Sequence, residues 1–196
     1  GFLFGSTIGD LVYGNNGQDV IQITFVYSSE KATWIGETQT EFNEYWEQKM
    51  AKDPSLKPIS LDFQPYGSGS SLIALLNGEI KPVIWSPASN IWIPILNSKW
   101  QDMTNLEDKI VENYSRCIYS PIVLATWERF YEEHDIGGIN DLHDYIRDNP
   151  GSVKMAHTDP RSSNSGFMAT IMMVSAKLRM DPKEISIANI SQPEVI

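Results

Sequence analysis

Cysteine is almost missing: Cys117 is the single one in 196 residues. One thiol forms no internal disulfide, and by itself it builds neither a thiolate zinc site nor a redox pair. Long apolar runs are missing too. No stretch approaches the roughly 20 residues that span a bilayer, and the longest are strand-sized. Positive charge is scarce, with 15 Lys and Arg against 25 Asp and Glu and a formal net charge of −10. A phosphate-backbone binder normally carries the opposite sign, so nucleic acid is not an expected partner. The three histidines, His134, His143 and His157, stand in no HxxxH or HExxH spacing, so neither a metal nor another cofactor is expected. A G-x-x-x-x-G-K-[ST] phosphate loop is absent. Neither Gly67-Ser68-Gly69-Ser70-Ser71 nor Ser162-Ser163-Asn164-Ser165-Gly166 meets the G-x-S-x-G pattern of a nucleophile elbow.

What is present is the composition of a globular protein, 41% hydrophobic, 11% aromatic and 20% charged. From Gln18 onward, strand-like and helix-like patches alternate, the pattern of an α/β protein. Val20–Tyr27 is rich in β-branched and aromatic residues and predicts a strand. Ala32–Lys52 spaces Trp34, Ile35, Phe42, Trp46 and Met50 along one helical face, and Asp53-Pro54 stops it. A second strand is expected at Ile59–Phe63, leading through Gly67-Ser68-Gly69-Ser70-Ser71 into a helix from Leu72, with the last serines as caps. Val83–Trp85 predicts a third strand, and Ser86-Pro87-Ala88-Ser89 opens a further helix. Strand, serine-bearing turn and helix thus recur three times on βα spacing, so the turns should share one edge of a parallel sheet.

Beyond Trp100 the chain turns polar, then apolar again at Cys117–Ala125, which suggests a strand or an extended crossover. Helices are expected around Thr126–His134 and Asn140–Arg147, separated by Gly137-Gly138, then a strand at Val153–His157 and the strongest helix at Phe167–Met180. The tail from Asp181 resembles the start of another unit. The apolar opening Gly1–Gly5 reads either as an ordinary arm or as the trimmed end of an export or anchor segment.

In open α/β sheets ligands bind outside the C-terminal ends of the strands. All four serine-rich turns fall at such ends, where helix N-terminal N–H groups and a partial positive charge can hold an anion or an oxygen-rich solute without a basic side chain. The candidate binding residues are Ser28, Ser29, Ser70, Ser71, Ser86 and Ser89, joined by Ser163, Asn164 and Ser165. Each serine also has the plainer use of an N-cap, worth about 1 kcal/mol. Asp159, in Thr158-Asp159-Pro160, could ligate a cation, although a turn carboxylate ordinarily bonds its own loop. Trp34, Trp46 and Trp92 are expected in the core, and Trp85, next to Ser86, as a cleft wall. No catalysis is expected. The alternatives are a serine hydrolase using Ser70 or Ser165 with His157, and a surface or sensory interaction module.

Four segments together, Val26-Tyr27-Ser28-Ser29-Glu30-Lys31, Lys81-Pro82-Val83-Ile84-Trp85-Ser86-Pro87-Ala88-Ser89, Ser120-Pro121-Ile122-Val123-Leu124-Ala125 and His157-Thr158-Asp159-Pro160 to Asn164-Ser165-Gly166, resemble bacterial extracellular solute-binding proteins of the type 2 periplasmic-binding-protein fold. The branch is one often fused to a von Willebrand factor A domain and distantly similar to molybdate and sulfate binders. The resemblance covers about residues 19 to 196. It implies two three-layer α/β lobes with mainly parallel sheets: lobe one over 19–116, a crossover at 117–125, and a lobe two over 126–196 that is incomplete in this chain. It also implies a small polar or anionic solute held in an inter-lobe cleft, an extracellular, periplasmic or membrane-anchored location, and a membrane (ABC) transporter or a von Willebrand factor A domain as partner. The D-x-S-x-S metal signature of that fused domain is absent.

Overall fold

The computed structural model describes residues 11–13 and 19–191; the apolar opening Gly1–Gly5 lies outside them, as does the end of the tail from residue 192 on. The chain divides into two compact units, Gly1–Arg116 and Cys117–Ile196. It is a mixed α/β protein, with seven α-helices among the described residues.

The first unit is built on one long strand. β2 (Asp19–Ser28) pairs in parallel with the whole of β3 (Ile59–Tyr66), from Ile21 opposite Ile59 to Ser28 opposite Tyr66. Its other edge is shared: β1 (Leu11–Tyr13) runs antiparallel to residues 19–21, and β4 (Ile84–Ser86) runs parallel to Phe25–Tyr27. The three strands Val20–Tyr27, Ile59–Phe63 and Val83–Trp85 expected from the sequence are therefore neighbours in one parallel sheet, in the order β3-β2-β4.

Parallel neighbours require crossovers, and both are helical. α1 (Ala32–Lys52) joins β2 to β3 and packs against β3, while α2 (Ser68–Leu76) joins β3 to β4 and packs against β2 and α3 (Trp92–Thr104). The two crossovers step in opposite directions along the sheet, so right-handed connection puts α1 and α2 on opposite faces. Alternation along β2 serves both faces: Val26 is fully buried, while Phe25 and Tyr27 turn the other way and meet the Phe63 ring at 5.5 and 6.3 Å. Ile35, Leu72, Leu75, Ile80, Trp92 and Leu96 complete this core. Trp92 is in the core as expected. Trp34 is 40% exposed, and Trp46 is half-buried, stacked on Phe42 and donating its indole N–H to Lys57 O at 3.0 Å. On a helix that packs one narrow stripe, Ile35 takes the buried position and the tryptophans flank it.

The second unit consists of helices: α4 (Glu128–His134), α5 (Ile139–Asp148), α6 (Asn164–Leu178) and the short α7 (Ile187–Ile190). α5 packs on α6, and Asp144 of α5 pairs with Arg179 just beyond α6 and with Arg147 at 2.8 Å. Cys117–Ala125 and Val153–His157 form no strand. Both are short β-prone stretches with no paired neighbour, and a strand without a partner leaves its backbone groups to water instead of a ladder. No sheet thus forms among the described residues of this unit, in contrast to the expected second α/β lobe. Its core is correspondingly small, with Ile136, Leu142 and Ala176 buried.

Candidate functional site

The register of the parallel sheet brings three strand ends level, because Ser28 stands opposite Tyr66 and Tyr27 opposite Ser86. The turns that follow consequently meet. Ala88 N–H donates to Ser68 Oγ at 2.9 Å, Ser68 Oγ donates to Ser28 Oγ at 3.2 Å, and Ser28 Oγ donates to a Glu30 carboxylate oxygen at 2.5 Å. One chain of hydrogen bonds thus runs from the turn after β4, through the start of α2, to the end of β2. Such a chain polarises each member toward the carboxylate.

Two further links close the cluster. Trp85 Nε1 donates to Ser71 Oγ at 2.9 Å, and Ser71 Oγ donates to Ser68 O at 2.9 Å. Lys31 Nζ donates to Ser86 O at 2.8 Å, to Ser86 Oγ at 2.7 Å and to Pro87 O at 2.9 Å. Ser28, Ser68 and Ser71 are all buried, and none of their hydroxyls lacks a partner. That is the condition under which a buried hydroxyl is tolerated.

Several assignments made from sequence change. α2 begins at Ser68 and not at Leu72, with Gly67 as N-cap and no side-chain cap. Ser70 and Ser71 therefore lie inside the first turn. The first helical hydrogen bond runs from Ser71 N–H to Gly67 O at 2.9 Å, so the N–H groups of Ser68, Gly69 and Ser70 precede the helical ladder. α3 likewise begins at Trp92, after the expected opening at Ser86–Ser89, and Ile91 is its N-cap. Ser89 Oγ accepts from Ile91 N–H at 3.3 Å, a local turn contact. Ser29 is exposed at the start of a 3-10 turn and takes no part in the bonded cluster. Trp85 does border the cluster, half-buried and fixed by Ser71.

The hub, Ser68, was not among the residues chosen from sequence, and neither were Glu30 and Lys31. Ser68 was legible only as part of Gly67-Ser68-Gly69-Ser70-Ser71, where spacing does not distinguish one serine from the next. The Lys31 contact lies 55 residues away in sequence, and no local pattern encodes it.

No family model matches this chain, and no curated protein or solved structure does.

In the second unit, Thr158 Oγ1 lies 2.9 Å from both Ser163 Oγ and Ser165 Oγ, which are 3.0 Å apart. This hydroxyl triangle sits at the entry to α6, whose N-cap is Ser163 and whose first residue is Asn164. Gly166 makes the fold of this entry possible: a Cβ there would stand 2.0 Å from Thr158 O. Asp159 accepts from Arg161 N–H at 2.9 Å and from its guanidinium at 2.8 Å. The Arg161 side chain, then its backbone N–H, holds the Asp159 carboxyl down to about 2. His157 Nδ1 lies 2.8 Å from Thr158 O, the carbonyl of its neighbour. Among the described residues no cluster of three His, Cys, Asp or Glu side chains is placed to hold a metal ion, and no helix is long and apolar enough to cross a membrane.

Proposed function

We propose that the first unit holds a small polar or anionic solute at the C-terminal edge of its parallel sheet, as a binding module without catalysis. The observation that supports this most is the meeting of three sequence-remote turns in one hydrogen-bonded cluster through Ser28, Ser68 and Ala88. From β2 one crossover leads to β3 on one side and the next returns to β4 on the other, so the strand order reverses at β2. A crevice at such a reversal is the usual ligand position in open α/β sheets.

The buried hydroxyls have a different part in this reading from the one spacing suggests. Ser28, Ser68 and Ser71 already donate their protons inside the protein, so they fix the turns. Donors for a solute come from the first N–H groups of α2 and from Ser70, backed by the positive end of the helix and the fixed charge of Lys31. The two-lobed periplasmic-binding-protein architecture, an extracellular or periplasmic location and a transporter or von Willebrand factor A partner belong to the same proposal. They are supported by the sequence resemblance and, for the first lobe, by the order β3-β2-β4.

A thermal-shift screen against oxyanions, amino acids and sugars tests it, because a ligand of the folded state raises apparent stability. For a ligand so found, calorimetry on Ser70→Ala should show binding weakened by about 1–3 kcal/mol through the donor lost in a desolvated site. Unchanged affinity would remove Ser70 from the site and move the site elsewhere.

A further inference from the structure

α4 and its N-cap residue Trp127 present an aromatic face that nothing in their own unit covers. Phe130 and His134 pack on Tyr145 of α5, with ring centroids 5.4 and 4.5 Å away. The other side is left outward: Trp127 is 85% and Tyr131 53% exposed. Tyr131 N–H donates to Trp127 O at 3.1 Å, which sets the two rings on adjoining turns. Glu128 and Glu132, each next to one of these aromatics, are exposed as well. From Glu128 to Asp135 the chain carries four carboxylates against one arginine, Arg129, which is paired with Glu133 at 2.7 Å.

Indole and phenol faces attract cations, and carboxylates beside them add charge-assisted hydrogen bonds to the same cation. We propose that this face of α4 docks a basic, apolar-bearing segment of a partner protein, with Arg or Lys side chains laid between the Trp127 and Tyr131 rings and the Glu128 and Glu132 carboxylates. Charge complementarity selects this occupant. A second copy of the chain would set the same acidic stripe against itself, and an anionic membrane would meet four carboxylates.

The test uses the whole chain and a fluorescein-labelled peptide alternating arginine and leucine, with a glutamate-leucine peptide as control. Fluorescence anisotropy should show binding of the first peptide only, weakened at high salt. Trp127→Ala/Tyr131→Ala and Glu128→Gln/Glu132→Gln should each weaken it by about threefold to tenfold. These side chains are exposed, so both variants should keep the parent circular dichroism spectrum, and that spectrum is the folding control. Equal binding by parent and both variants would overturn the proposal. So would binding of neither peptide, self-association abolished by Trp127→Ala/Tyr131→Ala, or partition onto phosphatidylcholine vesicles in place of peptide binding.

Discussion

Ser68 Oγ donates to Ser28 Oγ across 3.2 Å, tying the first turn of α2 to the last residue of β2 forty positions earlier. Ser68 is fully buried and also accepts the Ala88 N–H, so one hydroxyl joins the ends of two strands and the start of a helix.

Removing that hydroxyl should therefore cost more than an ordinary serine. Ser68→Ala strands the Ala88 N–H and takes a donor from Ser28, with an expected loss of about 1–3 kcal/mol in urea unfolding. Ser70→Ala, half-buried in the same turn, is the comparison and should stay within about 0.5 kcal/mol of the parent. Equal losses for the two would show that Ser68 is no hub.

Two glycines in helices should respond with opposite signs. At Gly36, within α1, an added Cβ meets nothing within 4 Å, so Gly36→Ala should stabilise by about 0.5–1 kcal/mol through reduced backbone entropy of the unfolded chain. At Gly166 the same methyl group would meet backbone at 2.0 Å. Backbone cannot swing aside like a side chain, so Gly166→Ala should destabilise by about 1–3 kcal/mol or more despite better helix propensity. Thermal unfolding of both variants decides it; a stabilised Gly166→Ala would contradict the close approach to Thr158.

Asp159 should titrate near 2, against an ordinary value of 3.8. A carboxyl whose pKa is depressed by folding binds its proton more readily when unfolded. Its contribution to stability is accordingly full above 3.8 and is lost as pH falls from there through about 2. Carboxyl carbon NMR titration measures this directly. Arg161→Gln should return the Asp159 pKa toward 3.8, since the guanidinium is the largest cause of the shift; an unmoved value would assign the shift to another group.

The packing of the first unit gives a fourth expectation. Leu96 on α3 is 1% exposed. Leu96→Ala should cost about 2–5 kcal/mol by lost transfer energy and the cavity left behind, read from the urea midpoint. A loss under about 1 kcal/mol would mean that α3 is not packed on this core.

By itself the sequence determined the local elements whose signals are local. β-branched and aromatic runs specified β2, β3 and β4, and Asp53-Pro54 stopped α1 at Lys52. The spacing of strand and helix favoured parallel pairing, because a connection as long as α1 is what a parallel crossover needs and a tight hairpin does not. Tertiary structure decided the rest. Whether Cys117–Ala125 and Val153–His157 become strands depends on a neighbour to supply the other half of each hydrogen bond, which no property of the segments provides. Which serine of Gly67-Ser68-Gly69-Ser70-Ser71 becomes the hub was fixed by the position of Ser28 and Ala88 around the α2 N-terminus. The Lys31 contact with Ser86 was fixed by the register that sets Tyr27 opposite Ser86. Such contacts arise from long-range pairing, whereas sequence patterns report only on the face a residue shares with neighbours a few positions away.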